Sequence, residues 1–201
     1  MWLPGLDIIR HQNYGLPVIS EAKLKKRLII FSSYSGNTEE VIDAYTKAGE
    51  MGLNRIVISV GGKLLELARR EGVAYIQMPD EGIQPRSALP LSLKSMLLIL
   101  RQKELLSEII KLQYDFHPEK CEKEGKELVE TLNGRVPIIY TASQSAILGY
   151  VWKITFNETG KIPAFSNGFP ELDHNEIEGF GVEETTARLS SNFLFFVFVR
   201  R

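Results

Sequence analysis

The sequence predicts an α/β protein built on parallel strands, and three observations carry that expectation. Leu28-Ile29-Ile30-Phe31 is a continuous run of bulky apolar residues bounded by polar ones, as expected of a parallel strand buried on both faces. Strand and helix patterns alternate from residue 28 to residue 78 at lengths that suit βαβ units. The same alternation returns after residue 133, which points to a second unit.

Taken in order, Gly5–Arg10 reads as a short apolar strand. Leu28–Ser32 is the next, followed by the small polar loop Ser32-Ser33-Tyr34-Ser35-Gly36-Asn37-Thr38. Val41, Ile42, Ala44, Tyr45, Ala48 and Met51 then recur at helical spacing. Asn37 with Glu40 three residues on predicts the N-cap and its capping box, and Gly52 the stop. Arg55–Val60 reads as a strand ending in Gly61-Gly62, Lys63–Arg70 as a helix, and Val73–Met78 as a strand. Residues 79–90 hold three prolines and read as a loop. Leu91–Lys111 reads as one helix, apolar on more than one face, which suggests a position between two layers or two subunits. Glu119–Leu132 reads as a charged amphipathic helix ended by Asn133-Gly134. A strand from Val136, a helix over Gln144–Asn157, a strand near Pro163-Ala164-Phe165 and a last strand over Leu194–Val199 complete the pattern. The expected units are residues 1–115 and 116–201.

Composition narrows the functional classes. The 201 residues include 24 Lys plus Arg against 25 Asp plus Glu, and 44% are apolar. Collagen-like, disordered and disulfide-scaffold classes do not fit. A net charge of −1 argues against a dedicated nucleic-acid binder. The single cysteine, Cys121, lies in a charged stretch and cannot form an intramolecular disulfide. No apolar run approaches the ~20 residues that span a bilayer, and no basic-then-apolar leader opens the chain. A cytoplasmic protein with no membrane partner is expected.

The loop at 33–38 carries the chemistry most visible in the residues themselves. Ser33, Ser35 and Thr38 lie in a glycine-containing turn at a helix N-terminus, where free N–H groups and the helix dipole favour an anion. The loop has no lysine, so it is not a nucleotide P-loop, and a phosphate monoester fits better than a triphosphate. The residues alone fit two readings equally: a phosphate cradle, or a serine-rich loop that merely caps its helix.

Four segments together resemble one family. Ser33-Tyr34-Ser35-Gly36-Asn37-Thr38-Glu39-Glu40 resembles the signature of sugar isomerase (SIS) domains. Gln84-Pro85-Arg86, Phe156-Asn157-Glu158 with Lys161-Ile162-Pro163-Ala164, and Phe169-Pro170-Glu171-Leu172-Asp173-His174-Asn175-Glu176-Ile177 are similar to loops of bifunctional phosphoglucose/phosphomannose isomerases. The resemblance runs in order from about residue 8 to about residue 200. It implies an αβα sandwich of SIS type in two subdomains, and aldose–ketose isomerisation of glucose 6-phosphate, with mannose 6-phosphate as a second substrate.

The resemblance also implies roles. Ser33, Ser35 and Thr38 match phosphate-binding hydroxyls. Arg86 matches an arginine near the sugar C1–C2 region, Glu158 the carboxylate base, and His174 the histidine that opens the ring from a neighbouring subunit of a homodimer. Apart from the resemblance, Glu158 reads as a solvated surface glutamate and Arg86 as a surface arginine. Asp173, His174 and Glu176 match no standard zinc spacing, so neither metal nor cofactor is expected.

Relatives of this type have about 300 residues, two domains at the usual size. They begin with a strand ending in a Gly-Gly-Ser turn and close with a helix bearing an active-site lysine. Neither has a counterpart here, so both subdomains are expected to be incomplete. A shortened natural variant, a fragment and half of a split protein all fit. A non-catalytic phosphosugar-binding protein is the alternative to an isomerase, and a DNA-linked sensor finds no basic helix-turn-helix segment.

Overall fold

A computed structural model of the chain describes residues 5–181 and 183–198. It is mixed α/β, with every strand pair parallel. The chain divides near residue 115 into two compact units.

In the first unit, the short helix α1 (Glu21–Leu24) precedes β1 (Leu28–Ser32), α2 (Glu39–Glu50), β2 (Asn54–Ser59), α3 (Gly62–Arg70) and β3 (Ala74–Gln77). The strands pair in the order β1-β2-β3. Helix α2 turns Val41, Ala44, Tyr45 and Ala48 onto the sheet, where they join Phe31 and Val57 in one core. Tyr45 meets Phe31 edge-on with ring centroids 5.4 Å apart. Its hydroxyl donates to Glu71 at 2.9 Å, and Arg55 lies 4.4 Å over its ring while donating to the same carboxylate. Burial, the hydrogen bond to Glu71 and its charge, against Arg55, push the Tyr45 hydroxyl up to about 12.

Both helices end in the same device. Gly52 and Gly72 adopt positive φ. The next residues, Leu53 and Val73, donate back to Ala48 and Ala68, the paired bonds of a Schellman motif. Gly52 is thus the stop the sequence predicts. Residues 5–10, by contrast, form no strand.

The predicted Leu91–Lys111 helix is two helices, α4 (Leu89–Ile99) and α5 (Lys103–Asp115). The break is a third Schellman closure: Gln102 donates to Leu97 and Arg101 to Leu98, with Arg101 at φ 54° in the left-handed position. An arginine there gives no signal in sequence, because the position normally belongs to glycine.

In the second unit, α6 (Pro118–Leu132) leads into β4 (Val136–Ala142), α7 (Ala146–Thr155), β5 (Phe165–Phe169), α8 (Ala187–Ser190) and β6 (Phe193–Phe198). The order is β5-β4-β6. Period-two alternation along β4 splits its side chains between two faces. Helix α7 covers one face: a Cβ on Gly149 would come within 2.9 Å of Thr141 and 3.5 Å of Ile139. On the other face Ile138 and Tyr140 pack with Leu172, Phe169, Phe180 and Phe193. No helix among the described residues is long and apolar enough to cross a membrane.

Candidate active site

The hydroxyl loop leaves the carboxyl end of β1 and enters α2, the place where open parallel sheets receive ligands. Its neighbour is the turn after β2. Gly36, at φ 72°, lies so close to that turn that a Cβ would be 1.9 Å from the Gly61 carbonyl oxygen. Gly62, at φ 67°, lies as tightly against the Ser35 carbonyl, which a Cβ would approach to 2.3 Å. Leu64 N–H donates to Gly36 and Val60 N–H to Tyr34, so the two turns are tied by backbone bonds.

Within this frame two of the three predicted hydroxyls, those of Ser33 and Thr38, come together. Ser33 is buried, accepts a hydrogen bond from Gly36 N–H at 3.1 Å, and lies 2.7 Å from the Thr38 hydroxyl. Ser35 accepts from Asn37 N–H at 3.2 Å. Ser35 and Thr38 are exposed. Thr38, not Asn37, is the N-cap of α2, and no side chain caps the helix. Asn37 is drawn away by a better acceptor role, taking the Lys63 N–H at 3.1 Å from the neighbouring turn. The uncapped first turn leaves backbone donors directed out of the helix end beside these hydroxyls.

Arg86 belongs to the same unit. It lies in a single 3-10 turn, Pro85–Ser87, closed by Ser87 N–H on Gln84 and followed by the buried Ala88. Proline at the first position fixes the turn, and Arg86 is half-buried.

Glu158 lies where α7 runs on into a π-helical turn, Phe156–Gly160, and Lys161 closes it at φ 54°. Such turns are uncommon and concentrate at functional positions. Asn157 holds the turn by donating to the Ile162 carbonyl at 2.9 Å. Glu158 itself is exposed. His174 ends a 3-10 turn, Glu171–His174, that follows β5, and it too is exposed.

Glu158 and His174 are not brought together. The helix that carries Glu158 packs on the Ile139 and Thr141 face of the sheet. The segment that carries His174 packs through Leu172 on the Ile138 and Tyr140 face. The two supporting elements thus pack on opposite faces of the sheet. No group of three His, Cys, Asp or Glu among the described residues could hold a metal ion.

One arrangement had no signal in the sequence. Glu176 accepts from the Tyr140 hydroxyl at 2.8 Å and from Asn167 at 2.6 Å. Tyr140 is 4% exposed, and burial together with the Glu176 carboxylate raises its hydroxyl well above the usual tyrosine range. The partners lie 36 and 9 residues away, on two adjacent strands, and only the folded sheet aligns them.

Known proteins agree with this architecture. Residues 121–200 match the family of the bacterial phospho-glucose isomerase C-terminal SIS domain. A bifunctional phosphoglucose/phosphomannose isomerase of Caldicellulosiruptor bescii is 37% identical over 188 residues, 87% of this chain and 54% of the relative. One of Aquifex aeolicus is 32% identical over 173 residues, 86% of this chain and 53% of the relative. A D-glucosamine-6-phosphate 4-epimerase of Sulfolobus acidocaldarius is 32% identical over 165 residues, 79% of this chain and 53% of that protein. The chain therefore spans about half the length of these curated relatives. The crystal structure of a glucosamine-6-phosphate deaminase from Thermotoga maritima shares the fold, with a TM-score of 0.57 and 15% identity over 96% of this chain and 63% of that one. Residues 121–200 thus match the bacterial phospho-glucose isomerase C-terminal SIS domain, and most of the chain is similar in sequence to the bifunctional phosphoglucose/phosphomannose isomerases.

Proposed function

We propose that the chain carries the catalytic groups of an aldose–ketose isomerase interconverting glucose 6-phosphate, and mannose 6-phosphate as a second substrate, with fructose 6-phosphate. The observation that carries the reading is the loop of Ser33, Ser35 and Thr38. The Ser33 and Thr38 hydroxyls meet beside the uncapped end of α2, on a turn locked by Gly36 and Gly62, which suits a dianionic phosphate monoester.

The chemistry then follows from residue types. His174 passes a proton to the ring oxygen and opens the sugar. Glu158 removes the proton from C2 of the aldose and returns it to C1, giving the ketose through an enediol. The Arg86 guanidinium stabilises the negative charge that develops on the enediolate oxygen. The elements that carry Glu158 and His174 pack on opposite faces of the sheet, which supports a homodimer whose sites each take Glu158 from one copy and His174 from the other.

Fructose 6-phosphate is incubated with the wild-type chain and with Glu158→Gln, and glucose and mannose 6-phosphates are measured. The expected result is conversion by wild type and a loss of about a hundredfold or more in kcat for the variant. Phosphosugar binding without turnover by the wild-type chain selects a non-catalytic binding protein instead.

A further inference from the structure

We propose that Glu176 is a positioning residue: clamped by Tyr140 and Asn167, it fixes the segment that presents His174. The inference rests on the reading of His174 as the ring-opening group. His174 is exposed and lies outside the buried cluster of this face. The backbone on either side is held instead. Two residues before it, Leu172 is fully buried against Ile138 and Tyr140. Two residues after it, both Glu176 oxygens are occupied, one by Tyr140 of β4 and the other by Asn167 of β5.

The clamp is itself braced. Asn167 uses its carbonyl oxygen to accept the Gly168 N–H at 2.8 Å, which fixes its amide group toward Glu176. Asn175 accepts the Glu176 N–H at 2.5 Å and donates to Glu171 at 3.0 Å, closing the segment on itself around His174. A carboxylate taking two hydrogen bonds, one from a buried tyrosine, is a strong and directional anchor. Its pull on the segment is distributed across two strands of a rigid sheet. A side chain that must reach a substrate held elsewhere needs such a base, since a displacement of about 1 Å costs roughly a hundredfold in rate.

Glu176→Ala, Tyr140→Phe and Glu176→Gln test this, each alone and the first also combined with His174→Ala. Tyr140→Phe removes only the hydroxyl and guards against a variant that fails to fold. Amide hydrogen exchange over residues 171–176 is expected to rise at least tenfold in Glu176→Ala and Tyr140→Phe, while β4 and β5 exchange as before. In the isomerase assay kcat falls at least tenfold in Glu176→Ala with little change in KM. Glu176→Gln, which keeps one acceptor, recovers part of it. In the His174→Ala background Glu176→Ala costs nothing further.

Unchanged exchange over 171–176 overturns the proposal. So does an additive loss in the double variant, or full activity in Glu176→Ala beside a slow His174→Ala. If wild type is inactive, or His174→Ala keeps full activity, the reading of His174 fails instead. The clamp then stands or falls on the exchange data alone.

Discussion

At the scale of the residue, the hydroxyl loop and the Tyr45 cluster carry distinct, measurable consequences. Ser33 is bonded on two sides, to Gly36 N–H and to the Thr38 hydroxyl. Ser33→Ala therefore leaves a buried N–H without its acceptor and should cost about 1 kcal/mol in denaturant unfolding. On the proposed reading it also removes phosphate binding common to ground and transition states, so KM should rise about tenfold with kcat nearly unchanged. Tyr45 gives a pH prediction. Its folded-state pKa is raised, so the neutral hydroxyl is favoured in the native state. Its contribution is complete below the ordinary tyrosine value near 10 and is lost as pH rises toward 12. Urea unfolding at pH 8 and pH 11 should show a fall in stability that Tyr45→Phe reduces.

At the scale of the element, the helix ends decide how much was legible. Gly52 announces its helix stop because glycine alone enters the left-handed region without strain. Arg101 performs the same closure between α4 and α5 without that residue type, and so a single helix is what the pattern predicts. Placing an L residue there costs about 1–2 kcal/mol, and Arg101→Gly should recover about 1 kcal/mol, seen as a higher denaturation midpoint at unchanged m-value. Asn37 misleads for a related reason: its capping potential is satisfied by Lys63 N–H, from a turn 26 residues away that sequence spacing does not reveal. The loop at 33–38 is legible because its residue types are local, whereas Glu158 stands out only through the resemblance and its π-helical turn has no counterpart in the sequence pattern. The Glu176 clamp is not legible, because register between β4 and β5 creates it.

At the scale of the whole molecule, the proposed chemistry is divided between two copies of the chain. The elements that carry Glu158 and His174 pack on opposite faces of one sheet, and the proposed site draws one group from each of two chains. Glu158→Gln and His174→Ala should each be nearly inactive alone. Mixed and allowed to exchange, they should regain about a quarter of wild-type activity, since half the dimers are mixed and each holds one intact site. The most direct test is the isomerisation of fructose 6-phosphate in deuterium oxide, followed by NMR. The wild-type chain should yield aldose 6-phosphate carrying deuterium at C2, and Glu158→Gln should slow its appearance about a hundredfold or more. Aldose formed at the wild-type rate by Glu158→Gln, or no aldose from the wild-type chain, would contradict the proposed chemistry.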